Sequence, residues 1–271
     1  MVAFLAALVI GATAAAAQPV AIPTLRDPAV RAARPAPGAV TGIRFVTTDD
    51  FPPFNFVDAG GRLTGFNVDL ARAICSQLGV PCTIQSRPFD DLLPSLVEQR
   101  ADAAIAGISV TAEARTQLGF TQPYLPLPAR FVVRKALPLT ISAETLAGRR
   151  VAVAAQSAHL AYLEAYFPGA AIRTYPTADA ARSALRSGQA DVAFGDAVQL
   201  AFWLQGTTAG DCCEFAGGAH FDEHFFGRGL SVATSADAPE LIAAMDWAIE
   251  AAFADGTFTA LYLRYFPVGF F

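Results

Sequence analysis

The sequence predicts an α/β protein of two similar lobes, each a mainly parallel sheet flanked by helices. From residue 42 onward, short runs rich in β-branched residues alternate with amphipathic stretches, as is typical of parallel sheets with helices on both faces. The pattern runs twice, because residues 42–109 and 150–196 each end in a polar turn, an Ala-Asp pair and an apolar strand. A chain of 271 residues is long enough for two such lobes.

Helix signals support this alternation. Leu70, Ile74 and Leu78 are spaced four apart, which places them on one side of a helix. Thr177 can cap a helix that Gly188 ends. The predicted strands are 43–47, 82–86, 103–108, 130–134, 150–154, 171–175, 191–194 and 230–234. The predicted helices are 68–78, 90–99, 158–167, 178–187, 197–204, 238–254 and 258–265.

The N-terminal segment has the character of an export signal. Residues 3–17 are apolar, and the small residues Ala15 and Ala17 suit cleavage before Gln18. We therefore predict a signal peptide over 1–17, cleavage near Ala17, and a periplasmic protein. Residues 18–41, rich in Ala, Pro and Arg without a period, are predicted to form a flexible leader.

The composition argues against a membrane-spanning protein and against a nucleic-acid partner. Hydrophobic residues make up 54% of the chain, but after residue 17 no apolar run reaches the ~18 residues of a spanning helix. The net charge is -5 and no Lys/Arg-rich run occurs, which argues against nucleic acid as a partner.

The four cysteines form two close pairs. Cys75 and Cys82 favour a short disulfide in an export compartment, with two unpaired buried thiols as the alternative. Cys212 and Cys213 are adjacent, and a vicinal disulfide and two free thiols are equally compatible with the sequence. Neither pair has the C-x2-4-C spacing of a zinc site.

Catalytic motifs are not found. His220 and His224 are four apart, but their Gly-rich surroundings do not predict the helix that would align them on one metal. The sequence contains no nucleophile elbow, phosphate-binding loop or dinucleotide fingerprint. We expect no metal, no cofactor and no catalytic residue.

A group suited to binding a carboxylate follows the strand predicted at 103–108. The backbone beside Gly107, the hydroxyls of Ser109 and Thr111, and the guanidinium of Arg115 together offer paired donors of the right geometry. A surface ion pair with Glu113 or a nearby acid is the alternative for Arg115.

Other candidates also follow predicted strands, where ligands bind in open α/β sheets. Phe51 can cover an apolar or planar solute. Ser157 lies at a helix start, where free N–H groups favour anions, although it can equally be only an N-cap. Asp196 can bind an ammonium group, and capping the helix at 197–204 is its alternative role.

These segments belong to a larger ordered set of blocks. The blocks are PPFNFVDAGGRLTGFNVDLARAICSQLG, FDDLLPSLVEQRADAAIAGISVTAEAR, LGFTQPY, VAVAAQSAHLAYL, SGQADVAFGD, FGRGLSVA and ADGTFTALYLRYFP. In this order, over about residues 42–267, they resemble the family 3 extracellular solute-binding proteins, which serve ATP-driven amino-acid uptake.

The resemblance implies roles for particular residues. Arg115 would hold the ligand α-carboxylate, helped by Ser109 and the backbone at Gly107. Asp196 would hold the α-ammonium, and Ser157 would close over the carboxylate from the second lobe.

The resemblance further implies that Phe51 and Phe89 flank the ligand side chain. Cys75 and Cys82 match positions that can form a disulfide in the family.

Departures from the family pattern affect the same site. The usual T-P-E-R is one residue longer here, at 111–115, and the usual G-T-T reads Gln-Ser-Ala at 156–158. Thr48 lies where some relatives selective for cationic side chains carry an acid, so a strongly basic ligand is not expected.

The resemblance also implies a domain arrangement and partners. Lobe 1 is predicted at 42–129 and 229–271, and lobe 2 at 130–228. Hinge crossings are predicted at 129–130 and 227–229. The expected partners are a small-molecule ligand and an ABC transporter permease, with the chain as a monomer.

Two other functions stay open on this fold. A dehydratase-like enzyme would need an acid or base in the cleft, for which Glu113, Asp49 and His159 are candidates. A periplasmic accessory or sensory protein for an oxidoreductase is the other.

Overall fold

The computed structural model describes residues 22–23, 32–266 and 269–271. It contains two five-stranded sheets flanked by helices and a small three-stranded sheet. The predicted signal peptide lies outside the described residues. In chain order the elements are β1 (Ile43–Thr47), β2 (Asp50–Phe51), β3 (Asn55–Val57), β4 (Leu63–Thr64), α1 (Phe66–Leu78), β5 (Cys82–Ser86), α2 (Leu92–Val97), β6 (Ala103–Ala104), β7 (Leu118–Phe120), β8 (Ala129–Arg134), α3 (Ala143–Leu146), β9 (Arg150–Ala154), α4 (Ala158–Tyr166), β10 (Ala171–Tyr175), α5 (Ala178–Arg186), β11 (Val192–Asp196), α6 (Ala197–Gln205), β12 (Cys213–His220), α7 (Glu223–Phe226), β13 (Ala233–Ser235), α8 (Pro239–Ala254) and α9 (Thr257–Tyr265). Short 3-10 helices occupy Phe89–Asp91 and Ala114–Thr116.

The two large sheets share one topology. The first has the order β5-β1-β6-β13-β7 and the second the order β10-β9-β11-β8-β12. In each sheet only the fourth strand, β13 or β8, runs against the other four. That strand is the first one in its sheet after a crossing from the other sheet. The two-lobed, mainly parallel α/β fold is thereby confirmed.

The internal repeat has a structural counterpart. Asp102 accepts hydrogen bonds from the backbone N–H of Arg44 at 2.7 Å and from its guanidinium at 2.7 and 3.0 Å. Asp191 makes the same contacts to Arg150, at 3.0, 2.7 and 3.1 Å. In each lobe, the Asp of the repeated Ala-Asp pair thus joins the start of one strand to the start of its parallel neighbour.

Helix α1 shows why the apolar spacing forms a core. Leu70 and Ile74 are completely buried and Leu78 is partly buried in a cluster that includes residues of α8 and α9. Complete burial of each such side chain stabilises the fold by about 1.5–3 kcal/mol. Thr177 caps α5 by accepting a hydrogen bond from Ala180 N–H at 3.1 Å, as predicted.

Two segments cross between the large sheets, residues 121–128 before β8 and residues 227–232 before β13, and they pair with each other. Leu230 donates its N–H to Leu125 O at 2.8 Å, and Tyr124 donates to Leu230 O at 2.8 Å. Gly229 has φ +105, and a Cβ there would lie 2.7 Å from the Cα of Pro126. Only glycine fits this conformation and this close approach.

Some predicted elements differ from the structure. The strand predicted at 103–108 pairs only over Ala103–Ala104, because the chain turns at Gly107, whose φ is +73. The strand predicted at 230–234 begins at Ala233. The helix predicted at 90–99 is a 3-10 turn followed by α2, and Gln99, with φ +56, lies beyond its end.

Strand β12 was not predicted, because Gly217 and Gly218 have low β-propensity and hide its pattern. Both cysteine pairs are joined as disulfides. The bond between Cys75 and Cys82 links α1 to the start of β5, and the other links Cys212 to Cys213.

Candidate ligand-binding site

A pocket of about 210 Å³ opens at the carboxyl ends of β9 and β11 in the second lobe. Its polar side chains are those of Ser157, His159, Arg182, Asp196 and Gln199, and alanines of α5 and β11 form much of its apolar wall. The structure therefore brings together Ser157 and Asp196, which were singled out from the sequence. This is the sheet edge at which open α/β sheets bind ligands.

Asp196 ends β11 and caps α6. One carboxylate oxygen accepts a hydrogen bond from Gln199 N–H at 2.8 Å. Burial raises the pKa of Asp196 above its usual value. A raised pKa means that the ionised carboxylate is poorly compensated by the protein, and a ligand ammonium would supply the missing charge. The capping role and the binding role are therefore compatible.

Helix α6 also places Asp196 beside the first lobe. Ala197, the next residue, donates its N–H to Pro128 O at 3.0 Å in the first crossing. Ala197, Val198 and Ala201 pack in the core cluster of the first lobe. Asp196 thus lies where the two lobes meet.

Ser157 caps α4. Its hydroxyl accepts a hydrogen bond from Leu160 N–H at 3.1 Å and donates one to Ala154 O at 2.7 Å. Gln156 before it has φ +53, a left-handed conformation at the position where the family pattern has glycine. The N-cap alternative for Ser157 is thus the contact that the structure shows.

His159 forms the aromatic side of the same pocket. Its ring stacks on Phe226 with centroids 5.1 Å apart and meets the ring of Phe194 edge-on at 5.8 Å. Burial lowers the pKa of His159 to about 4, so the imidazole is neutral at pH 7.

In the first lobe, Phe51 and Gly107 lie together. The Phe51 ring stacks on Phe54 with centroids 4.8 Å apart. A Cβ at Gly107 would lie 3.1 Å from Cε1 of Phe51, so the absence of a side chain lets the ring cover this backbone. Phe51 is 37% exposed and offers an apolar surface outside the core.

Phe89 and Thr111 line a separate pocket of about 270 Å³ in the first lobe. Thr111 Oγ1 accepts a hydrogen bond from Ala114 N–H at 3.0 Å. Ser109 is exposed, and its carbonyl accepts the N–H of Thr111 at 3.1 Å.

Arg115 lines neither pocket. It is exposed on the 3-10 turn Ala114–Thr116, and its guanidinium lies 5.7 Å from the centroid of the Phe120 ring. Within the described residues it forms no ion pair with Glu113 or another nearby acid, which was its alternative role. Arg115 and Asp196 therefore do not line a common pocket in this structure, and binding of a ligand carboxylate by Arg115 stays a prediction.

Sequence reasoning missed Arg182. This residue stands in α5 beside Ala178 and Ala181, and all three line the Asp196 pocket. Its side chain is only 13% exposed. The available signal was an arginine within an alanine-rich helix, where small neighbours leave room for a cavity.

His220 and His224 have different neighbours and do not form a common metal site. His220 Nδ1 lies 3.1 Å from the Tyr162 hydroxyl, whereas the His224 ring packs on Phe225. Within residues 22–23, 32–266 and 269–271, no three His, Cys, Asp or Glu side chains are grouped to hold a metal ion. In that same part of the chain, no helix combines the length and apolarity that a membrane crossing requires.

Comparisons with known proteins identify the family of this chain. The model of the bacterial extracellular solute-binding proteins, family 3, matches residues 43–268. A putative ABC transporter arginine-binding protein 2 of Escherichia coli is 32% identical over 84% of this chain and 92% of its own length. The histidine-binding periplasmic protein of Salmonella typhimurium is 30% identical over 83% and 87%, respectively.

A solved structure of similar fold is a periplasmic binding protein of Salmonella typhimurium described for its high arginine specificity. It is 26% identical, with a TM-score of 0.54, over 84% of this chain and 100% of that one. The matched family model spans most of the chain, from the first strand of lobe 1 to beyond α9. The chain belongs to the bacterial extracellular solute-binding proteins, family 3.

Proposed function

We propose that this protein captures an amino acid between its two lobes in the periplasm and delivers it to an ABC transporter permease. The observation that carries the proposal is the partly buried carboxylate of Asp196, which lines a pocket beside the lobe junction. Its raised pKa indicates a charge that the protein alone compensates poorly. An α-ammonium group is the complementary ligand feature.

The relatives support this class of ligand. Curated relatives are named for binding arginine, histidine, or lysine, arginine and ornithine. We propose a ligand that is not strongly basic for this chain, because Thr48 is 4% exposed and its Oγ1 accepts a hydrogen bond from Asn55 Nδ2 at 2.7 Å. A buried, uncharged hydroxyl provides no counter-charge for a guanidinium or ammonium side chain.

Binding without chemical change is part of the proposal. His159, a candidate base in the enzyme alternative, is neutral at pH 7 and packed between aromatic rings, and we assign it to the pocket wall. We propose that residues 42–129 with 229–271 and residues 130–228 move as two bodies about the paired crossings, and that the protein is a monomer.

A thermal-shift screen of the common L-amino acids at pH 7 tests the function. A ligand at 100 times its Kd adds about 2.7 kcal/mol to the free energy of unfolding. We expect neutral amino acids to raise the melting temperature more than L-arginine does. A screen in which no amino acid produces a shift at millimolar concentration would refute the proposed ligand class.

A further inference from the structure

Arg182 is a largely buried cation in the Asp196 pocket with incomplete hydrogen bonding. Its Nε is buried and finds no hydrogen-bond partner within the described part of the chain. Buried polar groups are almost always paired, so an orphaned guanidinium N–H on a side chain that lines a pocket points to an absent partner such as a ligand or water.

The one ion pair that Arg182 makes within the described residues is weak. Its Nη2 contacts Asp179 Oδ1, and the Asp179 side chain is 84% exposed. Exposed ion pairs contribute about 0–1 kcal/mol, because water and salt screen them. A ligand carboxylate bound in the pocket can therefore replace or join Asp179 at small cost.

Arg182 and Asp196 have the charge arrangement that a zwitterion requires. Both line the same pocket of about 210 Å³, but they form no ion pair with each other. The positive charge of Arg182 nevertheless lowers the pKa of Asp196, against the larger effect of burial, so the two charges act on one another. A cation and an anion that line one pocket without neutralising each other can bind the carboxylate and ammonium of one amino acid.

We propose that Arg182 binds the carboxylate of the ligand, so that the second lobe contacts both charges of the amino acid. This inference rests on the proposed function and assigns to Arg182 the role expected of Arg115. A guanidinium presents paired donors that match a carboxylate, and only 13% of the Arg182 side chain is exposed. The first lobe then contributes apolar cover through the exposed ring of Phe51.

The test compares free amino acids with their C-terminal amides, which lack the carboxylate charge. Calorimetric titrations use the full mature protein with L-glutamine, L-phenylalanine and L-arginine and the amide of each. Wild type binds at least one acid and prefers it to its amide. Arg182→Met should weaken binding of that acid by about 30-fold or more, which is about 2 kcal/mol, and leave its amide nearly unaffected.

Matched variants separate this role from a structural one. Arg186→Met makes the same substitution one turn along α5, at an exposed side chain that donates to Thr208 O at 2.6 Å. It should change affinity by no more than about twofold, as surface substitutions do. Arg182→Lys keeps the charge but loses the planar fork, so its loss should be smaller than that of the Met variant. If Arg182→Met does not fold, the affinity of Arg182→Lys for the acid and for its amide tests the assignment instead.

Three results would overturn the assignment of the ligand carboxylate to Arg182. An Arg182 variant that still prefers the acid over the amide as wild type does overturns the assignment. Loss of that preference in Arg115→Met, with Arg182→Met unaffected, also overturns it and supports the family expectation. If wild type binds no amino acid in the screen, the proposed function fails first, and the assignment of Arg182 fails with it.

Discussion

Replacing Asp196 by asparagine separates helix capping from charge. Asparagine caps a helix about as well as aspartate, so the hydrogen bond from Gln199 N–H survives. The negative charge is lost, and with it the partner of the ligand ammonium. Truncating one side of a desolvated charge pair costs about 2–5 kcal/mol, so we expect the Kd to rise about 30- to 4,000-fold.

The same substitution should stabilise the ligand-free protein. Burial raises the folded-state pKa of Asp196 above the ordinary 3.8. The stability linked to its neutral form is therefore present below pH 3.8 and lost as the pH rises through the folded-state pKa. At pH 7 the uncharged side chain of the Asp196→Asn variant avoids the loss of stability that ionisation of Asp196 causes. The melting temperature of the variant should therefore equal or exceed that of wild type, and the difference between the two melting temperatures should become smaller in acid.

Calorimetric titration and scanning calorimetry measure both effects, with Asp191→Asn as the control. Asp191 is the residue before β11, at the opposite end of that strand from Asp196, and its carboxylate pairs with the Arg150 guanidinium at 2.7 Å. Its variant should lose some stability and keep its affinity. An Asp196→Asn protein with wild-type affinity would show that Asp196 only caps α6.

Two further predictions concern stability. His159 has a folded-state pKa of about 4 against an ordinary 6.5, so the stability linked to its neutral form is lost as the pH falls from about 6.5 to 4. Urea unfolding should show wild type losing about 3 kcal/mol relative to His159→Gln over this interval. Gly229→Ala should lower the free energy of unfolding by about 2 kcal/mol or more, because its Cβ would strike the backbone of the other crossing at Pro126.

Controls for both are available in the chain. Gly79→Ala changes a glycine of φ +69 with open space around it, so it should cost only the left-handed strain, about 1 kcal/mol. Equal losses for Gly79→Ala and Gly229→Ala would refute the close-approach argument. A pH-independent difference between wild type and His159→Gln would show that the imidazole is solvated rather than buried.

Local signals allowed much of the fold to be predicted. The four-residue spacing of Leu70 and Ile74, and the cap at Thr177, depend on contacts within one helix or its first turn. The elements that failed depend on neighbours distant in sequence. Strand β12 is Gly-rich and becomes a strand only by pairing with β8, and β6 ends early because Gly107 turns the chain beneath Phe51.

Some residues of the candidate site could also be predicted from local signals, whereas others could not. Asp196 and Ser157 could be predicted because each follows a strand and begins a helix, which fixes its place at the sheet edge. Arg115 could not be placed, since the direction of a long side chain on a short 3-10 turn is decided by what it packs on, here the Phe120 ring.

By itself the sequence determined the two-lobed α/β fold, its family and the helix-capping carboxylate, because these follow from periodicity, capping and ordered blocks. Only the tertiary structure decided which arginine shares a pocket with Asp196. Arg182 and Asp196 lie fourteen positions apart, on a helix and a strand end, and no local pattern encodes the cavity they share. A side chain's surroundings are set by the packing of elements, and that packing is settled only when the chain folds.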